Sequence, residues 1–143
     1  MAIIANIISE GTAKKNVETD LIQMKGAYCL IVQVSKSSTI KIGSLGIINF
    51  DPGYYIYVGS AMNSLESRVH RHLNTAEKKF CKLRWHIDYL LTAPGVKIIR
   101  VYEFVSKNKI ECTIAYVLSQ RYAPVSRFGS SDCKCGGHLF KVK

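Results

Sequence analysis

At 143 residues, 48% of them hydrophobic and 21% charged, the chain has enough material for one compact core, too little for two ordinary domains, and none of the bias of a disordered chain. Twenty Lys and Arg against ten Asp and Glu leave a formal net charge of +10, a field that disfavours basic partners and favours polyanions, with nucleic acid first and DNA ahead of RNA. No apolar run approaches the roughly 20 residues that span a bilayer. The apolar start, Met1 to Ile8, lacks a basic n-region and a cleavage pattern, so a cytoplasmic protein with no membrane partner is expected.

Residues 1–24 are expected to form an N-terminal extension that packs on or precedes a single domain over 25–143. Tyr28 to Val34 is an apolar, β-branched run that reads as a strand, closed by Ser35-Lys36-Ser37-Ser38. Thr39 to Ile42 and Ile47 to Phe50 are short strand candidates, broken by Gly43 and Gly46. After the turn Asp51-Pro52-Gly53 comes an aromatic strand, Tyr54 to Val58. Helical spacing then takes over: Leu65, Val69 and Leu73 share a face, with Asn63 or Ser64 as cap. A second helix is expected from about Lys82 to Leu91, a strand over Lys97 to Val105, and a third helix from about Ile110 to Tyr122. A short final strand should cover His138 to Val142. The order predicts an α+β fold: a small central, mostly antiparallel sheet flanked by about three helices.

Basic residues crowd the first helix and the segment after it: Arg68, Arg71, Lys78, Lys79, Lys82 and Arg84 face only Glu66 and Glu77 between positions 66 and 84. With His72, the last five are candidate nucleic-acid contacts. Arg68 borders the apolar stripe of its helix, where a guanidinium can grip a phosphate with a planar fork. Glu111 points along the apolar side of the third helix. An inward carboxylate there is costly unless paired or metal-bound, while a capping box with Asn108 accounts for it equally well. His86, after Trp85, is a candidate base or phosphate contact.

Gly26-Ala27-Tyr28 opening one strand, Tyr57-Val58-Gly59 closing another, and Arg68 on the helix that follows resemble the GIY-YIG nuclease superfamily. A fuller likeness covers about Lys25 to Val142 and is to an uncharacterised prokaryotic branch of it, sometimes fused to an endonuclease-III-like glycosylase. It is carried by Gly53-Tyr54-Tyr55-Ile56-Tyr57-Val58-Gly59-Ser60-Ala61, Arg71-His72-Leu73, Trp85-His86-Ile87-Asp88-Tyr89-Leu90, Glu111-Cys112 and Phe128-Gly129-Ser130-Ser131-Asp132-Cys133-Lys134-Cys135. The resemblance implies an endonuclease fold in which Tyr28 or Tyr57 is the general base, Arg68 the phosphate clamp, and Glu111 the ligand of a Mg²⁺ or Mn²⁺ ion. Substrates would be DNA, including branched or damaged forms, or RNA. Ser60 stands where many members carry Lys, and Lys41 to Pro52 lengthens the link between the two tyrosine motifs. A non-catalytic nucleic-acid-binding module, accessory to DNA repair, is therefore the alternative.

Of the five cysteines, Cys29 and Cys112 lie in apolar segments and read as small core residues. Asp132-Cys133-Lys134-Cys135-Gly136-Gly137-His138 reads first as a turn into the final strand. Its alternative is a structural zinc knuckle of Cys133, Cys135 and His138, completed by Cys112 or Asp132. Oligomeric state is left open by these patterns.

Overall fold

The computed structural model describes residues 24–142, so the expected N-terminal extension lies outside them except for Met24. The strands are β1 (Gly26–Val34), β2 (Ser38–Lys41), β3 (Ile47–Phe50), β4 (Gly53–Ala61), β5 (Val96–Val105) and β6 (Leu139–Lys141); the helices are α1 (Leu65–Lys78), α2 (His86–Leu91) and α3 (Glu111–Ser119). Four strands form an antiparallel sheet in the order β5-β1-β4-β6, and β2 and β3 pair as a separate hairpin. This is the expected α+β architecture, and the expected insertion, Lys41 to Pro52, takes in the turn and second strand of that hairpin, with Gly46 at φ 82° in the turn.

Strand alternation decides which layer each residue serves. Tyr28, Leu30, Val32 and Val34 of β1 join Tyr55 and Tyr57 of β4 in a core with Leu65, Val69, Ile87, Leu90 and Phe128. Ala27, Cys29 and Ile31 join Ile56 and Val58 on the opposite face, under Ile114, Ala115 and Leu118 of α3. Thus α1 and α2 cover one face of the sheet and α3 the other. β1 is buried along nearly its whole length, which is why its sequence is continuously apolar rather than alternating.

The helix starts and stops follow from side chains that take up backbone groups. Ser64 caps α1 by accepting the Ser67 N–H at 3.1 Å. Lys79 ends it in the left-handed conformation, φ 58°. The buried face of α1 is Leu65, Val69, His72 and Thr75; Leu73, expected in that stripe, is 41% exposed because the stripe is centred one residue earlier, on His72. α2 begins at His86 rather than near Lys82, because Asp88 Oδ2 accepts the N–H groups of Arg84 (2.9 Å) and Trp85 (3.0 Å) and holds that segment out of the helix. The expected Asn108–Glu111 capping box is absent: α3 starts at Glu111 itself, after an Ile110 cap with no side-chain bond.

Asp88 is wholly buried, and Arg71 of α1 meets it with two N–H groups, at 2.8 and 3.1 Å. Burial works against its charge, but Arg71 and the two backbone donors outweigh burial and hold the carboxyl below the usual range. Replacing Asp88 by Ala strips the guanidinium and both N–H groups of their acceptor. The expected loss is about 3 kcal/mol of unfolding free energy in urea titrations, and a loss below about 1 kcal/mol would reduce the pair to an ordinary surface contact. Because the folded carboxyl titrates below its unfolded value of about 4, the contribution is complete above that pH and fades as the pH falls beneath it.

Candidate functional site

The two tyrosine motifs interlock across the β1–β4 pair. Tyr28 lies directly opposite Gly59, and a Cβ on Gly59 would come within 2.4 Å of the Tyr28 ring and hydroxyl. The glycine of one motif is thus the space that the tyrosine of the other occupies. Tyr28 shares a buried 2.7 Å hydrogen bond with Nε2 of His72, and Tyr57 stands beside it with ring centroids 6.3 Å apart. His72, Trp85, Phe128 and His86 continue this aromatic wall.

β6 pairs with β4 only over Tyr55–Tyr57. Beyond it, around Val58-Gly59-Ser60, the layers on the two faces of the sheet meet in a cleft of about 550 Å³. Tyr28, Tyr57, Arg68, Arg84, Trp85 and His86 line it from one side. Lys109, Glu111, Cys112, Asp132, Cys133 and His138 line it from the other.

Each polar group there is fixed by a neighbour. Arg68 donates from Nη1 to the Ser60 carbonyl at 2.9 Å and lies 4.4 Å over the Trp85 ring. Arg71 and Arg84 approach the same indole at 4.6 and 5.5 Å, so three guanidinium groups share one π-face donor. His86 Nδ1 accepts the Gly129 N–H at 2.8 Å, and burial holds the ring neutral. A neutral imidazole accepting at Nδ1 carries its proton on Nε2, so His86 is left with an N–H to donate and no free lone pair to act as a base. Burial pushes both phenols well above their ordinary pKa, with Arg68 opposing it at Tyr28 and Tyr57 alike. Glu111 has Oε1 3.8 Å from Lys109 Nζ, while Oε2 is buried without any hydrogen-bond partner.

A family model described as "Domain of unknown function DUF123" matches residues 27–143. The chain belongs to that family. Searches of curated proteins and of solved structures match nothing.

The expected catalytic set, Tyr28, Tyr57, Arg68 and His86, is brought together with Glu111 in this one cleft. The expected nucleic-acid set divides. Arg84 lines the cleft, and Lys78 and Lys82 are exposed outside it. Three members need correction. His72 is wholly buried against Tyr28 and has no surface to offer a polyanion. Arg71 is committed to Asp88 and to the Lys82 carbonyl. Lys79 turns inward and donates to the carbonyls of Leu91 and Val96, where it caps the end of α2. Trp85 and Lys109 also line the cleft, and sequence reasoning misses them as site residues; the Arg-rich flank of Trp85 is the available signal, while Asp132, expected only as an alternative zinc ligand, lines the cleft as well. At the C-terminal side, Cys112, Cys133, Cys135 and His138 form a group whose ligand atoms all lie within 4.8 Å of one another and could hold a metal ion. Cys112 is therefore not a plain core cysteine, and the turn into β6 and the ligand cluster coexist.

Burial, reinforced by Arg71 and Arg68, pulls the His72 pKa down to about 4 against the pull of Asp88. A folded value below the unfolded 6.5 makes its contribution complete above pH 6.5 and lost as the pH falls through 4. About 3 kcal/mol is at stake in that window, and His86 and His138, lowered in the same sense, add to it. Denaturant midpoints between pH 7 and 4 should fall steeply, and less steeply in His72→Gln; parallel curves for the two proteins would rule out His72 as a source of the slope. Gly59→Ala should cost about 1–3 kcal/mol by forcing Tyr28 aside, read as a drop in melting temperature.

Proposed function

We propose that this protein is a metal-dependent endonuclease that hydrolyses phosphodiester bonds, in DNA ahead of RNA, on a fold of the GIY-YIG kind. The observation that carries this reading is the convergence of Tyr28, Tyr57, Arg68, His86 and Glu111 on one cleft in a chain of net charge +10.

Phosphodiester hydrolysis needs a phosphate held in place, charge stabilised on its oxygens, and a proton taken from water. Arg68, braced by Ser60 and Trp85, presents its remaining N–H groups to the non-bridging oxygens. His86 adds an Nε2–H, and exposed Arg84 extends the grip along the backbone. Glu111 suits a Mg²⁺ or Mn²⁺ ion, because its Oε2 is desolvated yet unpartnered. Such an ion would polarise the phosphate and stabilise the leaving oxygen. Water gives its proton to the Tyr28 oxygen as the Tyr28 proton passes to His72 Nε2. Burial, with Arg71 and Arg68, opposes that imidazolium, and the Asp88 carboxylate favours it.

One observation favours a second reading, a nucleic-acid-binding module without cleavage: burial keeps both phenols protonated far above neutral pH. The two part in a gel assay with Mg²⁺ or Mn²⁺ on nicked, branched and single-stranded DNA and RNA. Cutting that falls on the order of 10²-fold or more in Arg68→Ala and in Glu111→Gln supports the nuclease. Binding without cutting, weakened by salt with a log–log slope of about −0.9 per phosphate contacted on duplex DNA, supports the module. Tyr28→Phe and Tyr57→Phe proteins that both cut at the parent rate would remove the tyrosines from the mechanism.

A further inference from the structure

Three side chains at the far wall of the cleft, Cys112, Cys133 and His138, together with Cys135 outside its lining, have the donor set and spacing of a closed metal centre. Cys112 is the second residue of α3; Cys133, Cys135 and His138 come from the loop that runs into β6. His138 Nε2 lies 3.6 Å from Cys133 Sγ and 3.9 Å from Cys112 Sγ, and no pair among the four ligand atoms exceeds 4.8 Å. Metal–sulfur bonds of about 2.3 Å and metal–nitrogen bonds of about 2.0 Å at tetrahedral angles put sulfur and nitrogen about 3.6 Å apart. The two observed separations lie at or just above that value, and small side-chain movements close the rest.

Burial supports the same conclusion. His138 is buried, and the three cysteines are half-buried and unoxidised. The His138 backbone is held on both sides, its carbonyl accepting the Val58 N–H at 2.9 Å and its own N–H donating to the Phe128 carbonyl at 2.6 Å, which fixes where the ring stands. Three thiols and an imidazole packed together without an ion satisfy each other poorly, since a thiol is a weak donor and a weak acceptor.

We propose that Cys112, Cys133, Cys135 and His138 bind a structural Zn²⁺ ion that ties the start of α3 to the loop before β6. Thiolate and imidazole donors select zinc over magnesium or manganese. With four protein ligands the centre has no open position for a substrate or water. Its role is placement: Glu111 precedes Cys112, and Asp132 precedes Cys133, so the ion fixes both carboxylates that line the cleft. That placement role rests on the nuclease reading, whereas zinc binding does not.

The test is made on the full chain, expressed and purified without added zinc or chelator. Elemental analysis should find stoichiometric zinc. Replacement by Co²⁺ should give the intense visible bands and the near-ultraviolet charge-transfer band of a tetrahedral thiolate site. Cys135→Ser should lose zinc, while Cys81→Ser, remote in sequence and outside the cluster, should keep it. A chelator strong enough to strip zinc should lower the melting temperature of the parent and not that of Cys135→Ser. Should the variant fail to fold, zinc content and the cobalt spectrum of the parent decide alone. Metal-free protein whose melting temperature ignores added zinc, or a disulfide within the cluster found by mass spectrometry under reducing purification, overturns the proposal. Zinc-loaded protein that cuts nothing leaves the centre standing and counts only against the nuclease.

Discussion

Asp88 is a carboxylate without access to solvent, and it stays charged there because Arg71 Nη1 and Nη2 and the backbone N–H groups of Arg84 and Trp85 all point at it. An unmatched charge at that depth is worth several kcal/mol against folding, so the four donors and the acceptor hold one another in place. The consequences run outward from this contact. It docks α1 against the start of α2, and it keeps Lys82 to Trp85 out of the helix. It also sets the indole of Trp85 where Arg68 can lie across it, and the next residue, His86, reaches Gly129. The arginine-lined half of the cleft is therefore assembled around an ion pair that itself stands outside the cleft lining.

The other half depends on the sheet. Alternation along β1 and β4 sends Tyr28, Tyr55 and Tyr57 to one face and Ala27, Cys29, Ile31, Ile56 and Val58 to the other, so the α1–α2 layer and α3 are separated by the sheet. They meet around its edge, where β6 stops after pairing with Tyr57. At that edge Arg68 and Arg84 confront Glu111 and Asp132 across one cavity. The cleft therefore sets cations on one side against carboxylates on the other, a division that neither layer could provide alone.

Much of this is legible in the sequence for a physical reason: periodicity reports burial, and burial is what the sheet and α1 are built on. The run Tyr28–Val34, the aromatic β4 strand and the Leu65/Val69 spacing all report it directly. Leu73 and His72 show where that signal runs out. Hydropathy puts leucine inside and histidine outside, but the hydroxyl of Tyr28 supplies His72 with a partner and makes the histidine the better core residue. The same gap explains Arg71 and Lys79. Both look like surface cations, and both are consumed by acceptors 11 or more residues away along the chain that no local pattern reveals. Cys112 has the apolar neighbours of a core residue, yet its thiol faces three ligand atoms brought in by the loop before β6.

The titration of the cleft sets a condition on any chemistry done there. At neutral pH, Tyr28 and Tyr57 are held protonated by burial, His72 is neutral, and His86 has its one lone pair engaged by Gly129. No group on the aromatic wall is then a ready base. The same burial that silences the phenols also magnifies any charge brought near them, because field lines pass through protein instead of water. On the nuclease reading, a cation at Glu111 would lower the cost of a phenolate, and the phosphate it accompanies would raise the cost of leaving His72 neutral. Both shifts would move the Tyr28–His72 proton in the direction hydrolysis requires. The acid–base character of the cleft would then come only from the pair of charges that substrate and ion bring together.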